Sequence, residues 1–429
     1  MDLEEMVNVG LIGLGTVGSG VAKILFSEHE RIRAATGLDV KVTKIAVKDM
    51  IKPRPDWVDA SILTNDAYSV INDPDISIVV ELTSGDKDRA ARYIMDALKA
   101  GKHVVTAGKA PLSTHWEQIF KAAYEGKRFV LFEGSVGGVI PIMHLLRYLS
   151  SNDVTEITGI VNGTTNYILT RMAEGMNYEE ALALAQKKGY AEVPPDLDVL
   201  GIDAAQKISI LASVAFMTRV NPEKVYAEGI TGITQTDFKF ARDRGYVVKL
   251  LASARKLDGS IDVRVYPALT KDEVLSHVNE ATNAIKVVGN YSGPITLVGK
   301  GAGDVATGTA VVADIITLAS AVERGNAFYV PTTTNIPVNE GDFSSEGYFR
   351  VMLKDVPLAL AKVATVIGEC GVNIKGNAQY PELKDTATNT MPWFFTTYPA
   401  SQKQITEVLA DLGKSDAIAG KPFYMRVVE

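Results

Sequence analysis

Val7-Asn8-Val9-Gly10-Leu11-Ile12-Gly13-Leu14-Gly15-Thr16-Val17-Gly18 is the stretch whose reading decides the fold. The apolar run Val7–Ile12 reads as a strand and ends in glycines. Thr16–Phe26 then places Val17, Val21, Ile24 and Leu25 at helical spacing. Gly13, Gly15 and Gly18 fit G-x-G-x-x-G directly after a strand and directly before a helix. In a dinucleotide-binding turn the first glycine permits the tight turn. The second lets the backbone approach a pyrophosphate, and the third lets the helix pack on the strand. The N–H groups around Thr16 and Val17 would face the anion. Glycine turns also arise for packing alone, so the weight rests on the surroundings.

Outward from that turn the chain alternates strand and helix. Val40–Val47, Ile76–Leu82, His103–Thr106 and Arg128–Phe132 read as strands. Asp86–Ala100 and Thr114–Glu125 read as helices, the first opened by an acid and followed by Gly101. This order predicts a doubly wound, parallel α/β Rossmann domain over residues 1–140. The pattern changes after Pro141. Val154–Val161 is strand-like, and helical stretches follow near Ile168–Lys188 and Gly201–Thr218. Asp258-Gly259 separates Val247–Lys256 from Ile261–Tyr266, a hairpin signal; Ser292-Gly293-Pro294 does the same between Ala284–Tyr291 and Ile295–Val298. The expectation is a mixed α+β domain over 141–300. Gly301–Ser320 is then a glycine-led apolar helix that completes the first domain over 301–329. Residues 330–346 have a linker composition. Residues 347–429 read as strand Tyr348–Leu353, helix Leu358–Glu369, strands Val372–Ala378 and Met391–Tyr398, helix Gln402–Leu412 and strand Phe423–Val428. That is the ferredoxin-like βαββαβ order.

Composition narrows the function classes. The 429 residues are 46% hydrophobic and 22% charged, with a net charge of −7, which supplies no basic footprint for nucleic acid. No apolar run is expected to span a bilayer. An acidic start (Asp2, Glu4, Glu5) leading directly into a strand does not read as a signal peptide. The single cysteine, Cys370, allows no internal disulfide and suits a reducing cytoplasm. The five histidines show no metal-ligand spacing.

Several residues could carry chemistry. Asp203 and Lys207 are the only charged residues on the apolar stretch Gly201–Met217, and at i and i+4 they share a face. A buried pair of this kind is either a proton-transfer site or an internal salt bridge. Lys109 follows a parallel strand at the edge where ligands bind in open α/β sheets, or is a plain loop lysine. Lys48, with Asp49, Lys52 and Arg54 beyond it, stands where a ribose-binding acid is usual; it reads as a grip on a 2′-phosphate or as a solvated loop. Glu133-Gly134-Ser135-Val136-Gly137-Gly138-Val139-Ile140-Pro141 could turn carbonyls onto a hard cation, or act as a hinge.

These motifs, with Val79-Val80-Glu81-Leu82, Asn162-Gly163-Thr164-Thr165-Asn166, Gly189-Tyr190-Ala191-Glu192 and Gly301-Ala302-Gly303-Asp304, resemble homoserine dehydrogenases from end to end. The C-terminal segment 347–429 resembles an ACT domain, a small ligand-sensing module. The resemblance implies NAD(P)H-dependent reduction of aspartate 4-semialdehyde to homoserine; Lys48, where an NAD-selective enzyme usually has an acid, predicts a modest preference for NADP. It implies Lys207 as proton donor, Asp203 as its carboxylate partner and Lys109 near the nicotinamide. Glu192, Asp198 and Asp203 would hold substrate. Cofactor contacts would come from Gly13 to Gly18 (Leu14, Thr16 and Val17 included), Lys48, Thr83, Lys109, Gly189, Glu192 and Gly303. A sodium ion would sit on Glu133, Val136, Gly138 and Ile140. A cytoplasmic homodimer or higher homo-oligomer formed through 141–300 is also implied, without nucleic acid or membrane, and with an amino-acid effector at the ACT domain. The chain departs from the family at Gly108 (usually Asn), at Glu192-Val193-Pro194-Pro195 (usually Glu-x-Asp-Pro) and at Lys300 (usually Pro). It also reads Asp355-Val356-Pro357-Leu358 where ACT domains have Asp-x-Pro-Gly. Leucine resists positive φ, which predicts a different loop path and a weak response to threonine. Two rivals differ in chemistry. A phosphorylating semialdehyde dehydrogenase needs a cysteine nucleophile, and Cys370 lies in the C-terminal segment. A silent sensor would have no use for the Asp203–Lys207 pair.

Overall fold

A computed structural model describes residues 6–324, 335–339 and 343–428. The chain forms two compact units. The first comprises Met1–Ile157, Gln206–Lys224 and Thr282–Ile336; the second comprises Thr158–Ala205, Val225–Ala281 and Pro337–Glu429.

In the first unit, β1 (Met6–Ile12), β2 (Asp39–Ala46), β3 (Leu63–Thr64), β4 (Ile78–Glu81), β5 (His103–Thr106) and β6 (Val130–Leu131) form one parallel sheet. Its order is β3-β2-β1-β4-β5-β6, the doubly wound arrangement with β1 at the switch point. The central strand β4 is buried along its whole length because both faces of the sheet are covered, whereas β2 alternates buried and exposed positions. The helix Asp304–Arg324 supplies Val311, Val312, Ile315 and Leu318 to one core with Val9, Leu11, Val21 and Ile78. That helix corrects the expectation that no apolar run could span a bilayer. Its window Asp304–Ala321 is long and apolar enough by length and composition, because one face is core. It meets the helix Thr16–Ser27 at two glycines. A Cβ on Gly20 would lie 2.2 Å from the Asp304 carbonyl oxygen, and one on Gly308 would lie 2.9 Å from the Gly20 carbonyl carbon. A second helix begins earlier than the sequence suggests, spanning Lys109–Gly126 with non-helical angles at His115. Pro111 lies in its first turn, where the missing N–H of proline is not needed. The turn between Gly289 and Gly293 closes a hairpin, with Thr282–Gly289 antiparallel to Gly293–Lys300.

In the second unit the strands Val247–Leu257, Ser260–Thr270, Ile418–Val428, Ser344–Lys354, Thr390–Ser401 and Ile374–Gln379 neighbour one another in that order. The Asp258-Gly259 turn closes a hairpin in register Leu257↔Ser260, with Gly259 at φ +73°. The helical stretch expected at Ile168–Lys188 is two helices, Gly163–Ala173 and Tyr178–Lys187. Gly175, at φ +110°, and the Asn177 cap separate them. Residues 344–428 have the βαββαβ order, with Phe349, Val351, Val363, Phe395, Ile405 and Leu412 in their core. Arg426–Val428 pair in parallel with Ala268–Thr270. Tyr348 donates to the buried Asp237 carboxylate (2.6 Å), which also pairs with Arg350. Of the expected linker, 330–334 and 340–342 lie outside the described residues; Asn339 donates to the Ile261 carbonyl (2.7 Å). Leu358 does not reroute its loop. It takes the left-handed conformation itself (φ +67°) at the N-cap of the helix Ala359–Glu369.

Candidate active site

The three glycines of the first turn have distinct surroundings. Gly13 (φ +105°) donates to the Ala46 carbonyl (2.9 Å), and a Cβ there would meet Leu82 O at 2.7 Å. A Cβ on Gly18 would sit 2.2 Å from Gly13 O, whereas one on Gly15 would meet nothing within 4 Å. The second glycine is therefore the one whose open side faces space, as a backbone approach to pyrophosphate requires. Gly15 caps the helix Thr16–Ser27 with no side-chain hydrogen bond and no acid in the first turn, so the positive end of the helix is left for an anion.

At the end of β2, Lys48 is exposed. Asp49 is engaged locally, accepting from Ile51 and Lys52 backbone N–H groups (2.9 and 3.1 Å). Arg54 lies over the glycine turn, donating to Leu14 O (3.2 Å) and Asp49 O (2.9 Å), with a buried Nε that has no hydrogen-bond partner. The sequence reading mentioned it only as a cation beyond Lys48.

A cavity of about 850 Å³ in the first unit is lined by Val17, Thr83, Lys109, Gly138, Lys207 and Gly301, among others. The structure thus brings the glycine turn, both lysines and the Glu133–Ile140 run to one wall. Gly303 (φ +134°) follows Gly301 and precedes the helix Asp304–Arg324. Lys109 is the first residue of its helix, and Lys207 lies on the helix Ile202–Ala215 one turn after Asp203.

In the second unit the carboxylates are gathered by a residue the sequence reading did not single out. The Asn162 amide donates to Asp198 Oδ1 (2.7 Å) and to Asp203 Oδ2 (2.8 Å), while its own oxygen accepts from Thr165 N (2.8 Å) as the cap of the helix Gly163–Ala173. One side chain therefore starts the helix and joins two acids. A cap signal at Asn162 was legible; its second duty joins positions 36 and 41 residues away. Asn166, ending the same motif, donates to Val278 O and Glu280 O (3.1 and 3.0 Å) and accepts from the buried Lys249 (3.2 Å). Gly189 (φ +76°) ends the preceding helix, and the Glu192 side chain is exposed.

The histidine spacing gave no metal signal, yet Glu133, His144 and Asp314 come within 4.8 Å of one another. Hydrogen bonds tie the Glu133 side chain to the His144 ring and to the backbone beside it. Glu133 accepts from Met143 N (2.8 Å), His144 N (2.9 Å) and the His144 ring. The Glu133 contact raises the His144 pKa, and burial pushes Asp314 up to about 7. Asp314 accepts the Glu133 N–H (2.7 Å) and so holds the glycine-rich run from behind.

A doubly wound sheet, a glycine turn with an open second position and a lysine-bearing cavity at its strand tips define a dinucleotide-binding oxidoreductase. Family models described as homoserine dehydrogenase, NAD binding domain, and homoserine dehydrogenase match residues 13–133 and 141–316. The chain is 36% identical to the Bacillus subtilis homoserine dehydrogenase, covering 96% of each. It is similar to the crystal structure of a homoserine dehydrogenase from Thiobacillus denitrificans (32% identity, 99% of each chain, TM-score 0.91). A hyperthermophilic archaeal homoserine dehydrogenase mutant in complex with NADPH is 27% identical, with 76% of this chain and 100% of that chain covered and a TM-score of 0.63. The chain belongs to the homoserine dehydrogenase family, NAD(P)-dependent oxidoreductases that interconvert aspartate 4-semialdehyde and homoserine.

Proposed function

We propose that Lys207 is the proton donor of this reaction. The observation that carries the reading is its place in the wall of the cavity that Val17, Thr83 and Lys109 also line, one helical turn from Asp203. When bound, the nicotinamide cofactor supplies the hydride that reaches the aldehyde carbon. The Lys207 ammonium gives its proton to the oxygen that gains charge, and Asp203 holds the lysine in place. Glu192 binds the substrate's ammonium group, Asp198 also holds the substrate, and Lys109 stands near the nicotinamide and the substrate. Lys207→Ala is expected to keep cofactor binding and to lose about 10²-fold or more in kcat. A variant with more than a tenth of the parent kcat would remove Lys207 from this role.

The residues present fit a dinucleotide: Gly13 to Gly18 hold the pyrophosphate, and Gly189, Glu192 and Gly303 approach the nucleotide. NADP(H) is the preferred form, with Lys48 and Arg54 as the cations for a 2′-phosphate; the buried, unpartnered Arg54 Nε supports this. Comparison of kcat/KM for the two cofactors tests it, and a clear preference for NAD refutes it. Sodium fits the backbone of Glu133, Val136, Gly138 and Ile140. Gly137 and Gly138 are consecutive left-handed glycines, and a Cβ on Gly138 would lie 2.3 Å from Lys300 O, so backbone oxygen is densely gathered there. Residues 347–429 are an ACT domain, and threonine inhibits weakly because Leu358 occupies the glycine position. The enzyme is a cytoplasmic homo-oligomer assembled through 141–300.

A further inference from the structure

Glu81 ends β4 and is wholly buried. No part of the reaction described above uses it. Its carboxylate accepts three hydrogen bonds and, among the described residues, faces no cation within salt-bridge distance. Oε1 accepts from the Thr83 N–H (2.8 Å) and from the Thr83 hydroxyl. Oε2 accepts from the Thr106 hydroxyl (3.1 Å), whose oxygen in turn accepts the Gly108 N–H (2.9 Å). Gly108 is the N-cap of the helix that opens with Lys109. On the other side, the Leu82–Thr83 peptide is the backbone against which Gly13 closes: a Cβ on Gly13 would meet Leu82 O at 2.7 Å and Thr83 N at 3.1 Å.

We infer that Glu81 is a positioning residue that sets the dinucleotide turn and Lys109 from a single buried carboxylate. The inference rests on the reading of Lys109 and Thr83 as site residues. One arm of the contact network runs through Thr83 to Gly13; the other runs through Thr106 and Gly108 to Lys109. A buried acid without hydrogen bonds would be costly, and three donors make this one a fixed strut. Both hydrogens of Thr83, on its nitrogen and its hydroxyl, are committed to Glu81. Thr83 therefore meets a cofactor only as an acceptor, through its hydroxyl lone pairs or its carbonyl oxygen.

The two arms make the idea separable from a general loss of stability. Thr83→Val removes the hydroxyl donor from one arm, while the residue 83 N–H keeps its bond to Glu81, and should raise the Kd for NADPH, read by fluorescence titration, about fivefold or more, a larger factor than its effect on kcat. Thr106→Val cuts the other and should lower kcat about fivefold or more while the NADPH Kd stays within twofold. Glu81→Leu should do both, and Glu81→Gln, which keeps an acceptor, should recover part of each. Thermal unfolding of every variant shows whether it is folded. If folded Glu81→Leu keeps both constants within twofold of the parent, the inference is overturned. It is overturned equally if Thr83→Val and Thr106→Val shift Kd and kcat in the same proportion, since that pattern marks a merely structural role. Failure of Lys207→Ala to lose activity would instead count against the proton donor and leave this split intact.

Discussion

At the scale of single residues, the site depends on polar groups whose partners are far away in the chain. Asn162 places one amide between two carboxylates. Asn162→Asp would set a third acid against Asp198 and Asp203. The expected outcome is a loss of more than tenfold in kcat/KM, with stability lower by roughly 1–3 kcal/mol; an active, equally stable variant would show that the bridge is dispensable. Lys249 offers a test in pH. It is 2% exposed and hydrogen-bonded to Asn166 Oδ1 (3.2 Å), Val278 O and Asn279 Oδ1 (3.1 Å), and burial lowers its pKa to about 8. In the unfolded chain the value is about 10.4. Between those values the folded state binds fewer protons than the unfolded one, so this group's contribution to stability rises with pH. The cost of burying the cation is present in full below pH 8 and is relieved by about pH 10.5. Relative to Lys249→Met, the parent should gain roughly 3 kcal/mol across that window, followed by chemical denaturation at each pH. A constant difference would mean that Lys249 is not buried as a cation. Such residues were poorly legible in advance, because a lysine in a strand or an asparagine at a cap looks ordinary until its partner is known. Glu81 was hidden the same way, as one acid at the end of an apolar run. The glycine turn was legible because the strand before it and the helix after it already point to dinucleotide binding; Lys109 and Lys207 each fitted a structural role equally well until they were found lining one cavity.

Among elements, strands were read well and short helices were not. Five of the six strands of the parallel sheet announced themselves, the two-residue Leu63–Thr64 being too short to read, and the Asp258-Gly259 turn set the hairpin register directly. The helices His29–Thr36, Ala67–Ile71 and Ile142–Tyr148 are only 8, 5 and 7 residues long, too few for an apolar period to emerge. The crossing at Gly20 and Gly308 was equally invisible, since only contact between distant helices explains why two helices tolerate glycine. Alanine normally favours a helix over glycine by about 1 kcal/mol. Here Gly20→Ala should instead destabilise by roughly 1–3 kcal/mol, because its Cβ meets backbone that cannot swing aside. A rise in Tm would show that the crossing has slack. Leu358 gives the opposite case. Its left-handed conformation costs about 1–2 kcal/mol, and its side chain is 74% exposed. Leu358→Gly loses little packing, regains φ freedom and should raise stability by roughly 0.5–1 kcal/mol after the entropy of glycine is counted. An unchanged or lower Tm would locate a compensating contact.

For the molecule as a whole, the sequence separated the dinucleotide sheet from the rest but drew residues 347–429 as a module on its own. In the structure that segment belongs to the same compact unit as Val225–Ala281. The reason is non-local pairing, which no linker composition discloses. Its last strand pairs with Ala268–Thr270, and Tyr348 and Arg350 cover the Asp237 carboxylate, whose pKa burial raises. Deleting 344–428 should therefore leave a protein that aggregates or melts well below the parent, measured by size-exclusion chromatography and thermal unfolding. A monodisperse truncated chain with the parent Tm would show the segment to be separable. The same pairing has a consequence in time. The strand Ile418–Val428 lies between Ser260–Thr270 and Ser344–Lys354, so both neighbours wait for it with unpaired edges while the ribosome is still adding residues. At about 5–20 residues per second, the interval between making Thr270 and Val428 is on the order of ten seconds. During that interval the nascent second unit presents open sheet edges to every other chain in reach, and its yield in the cell should follow the supply of chaperones at the ribosome.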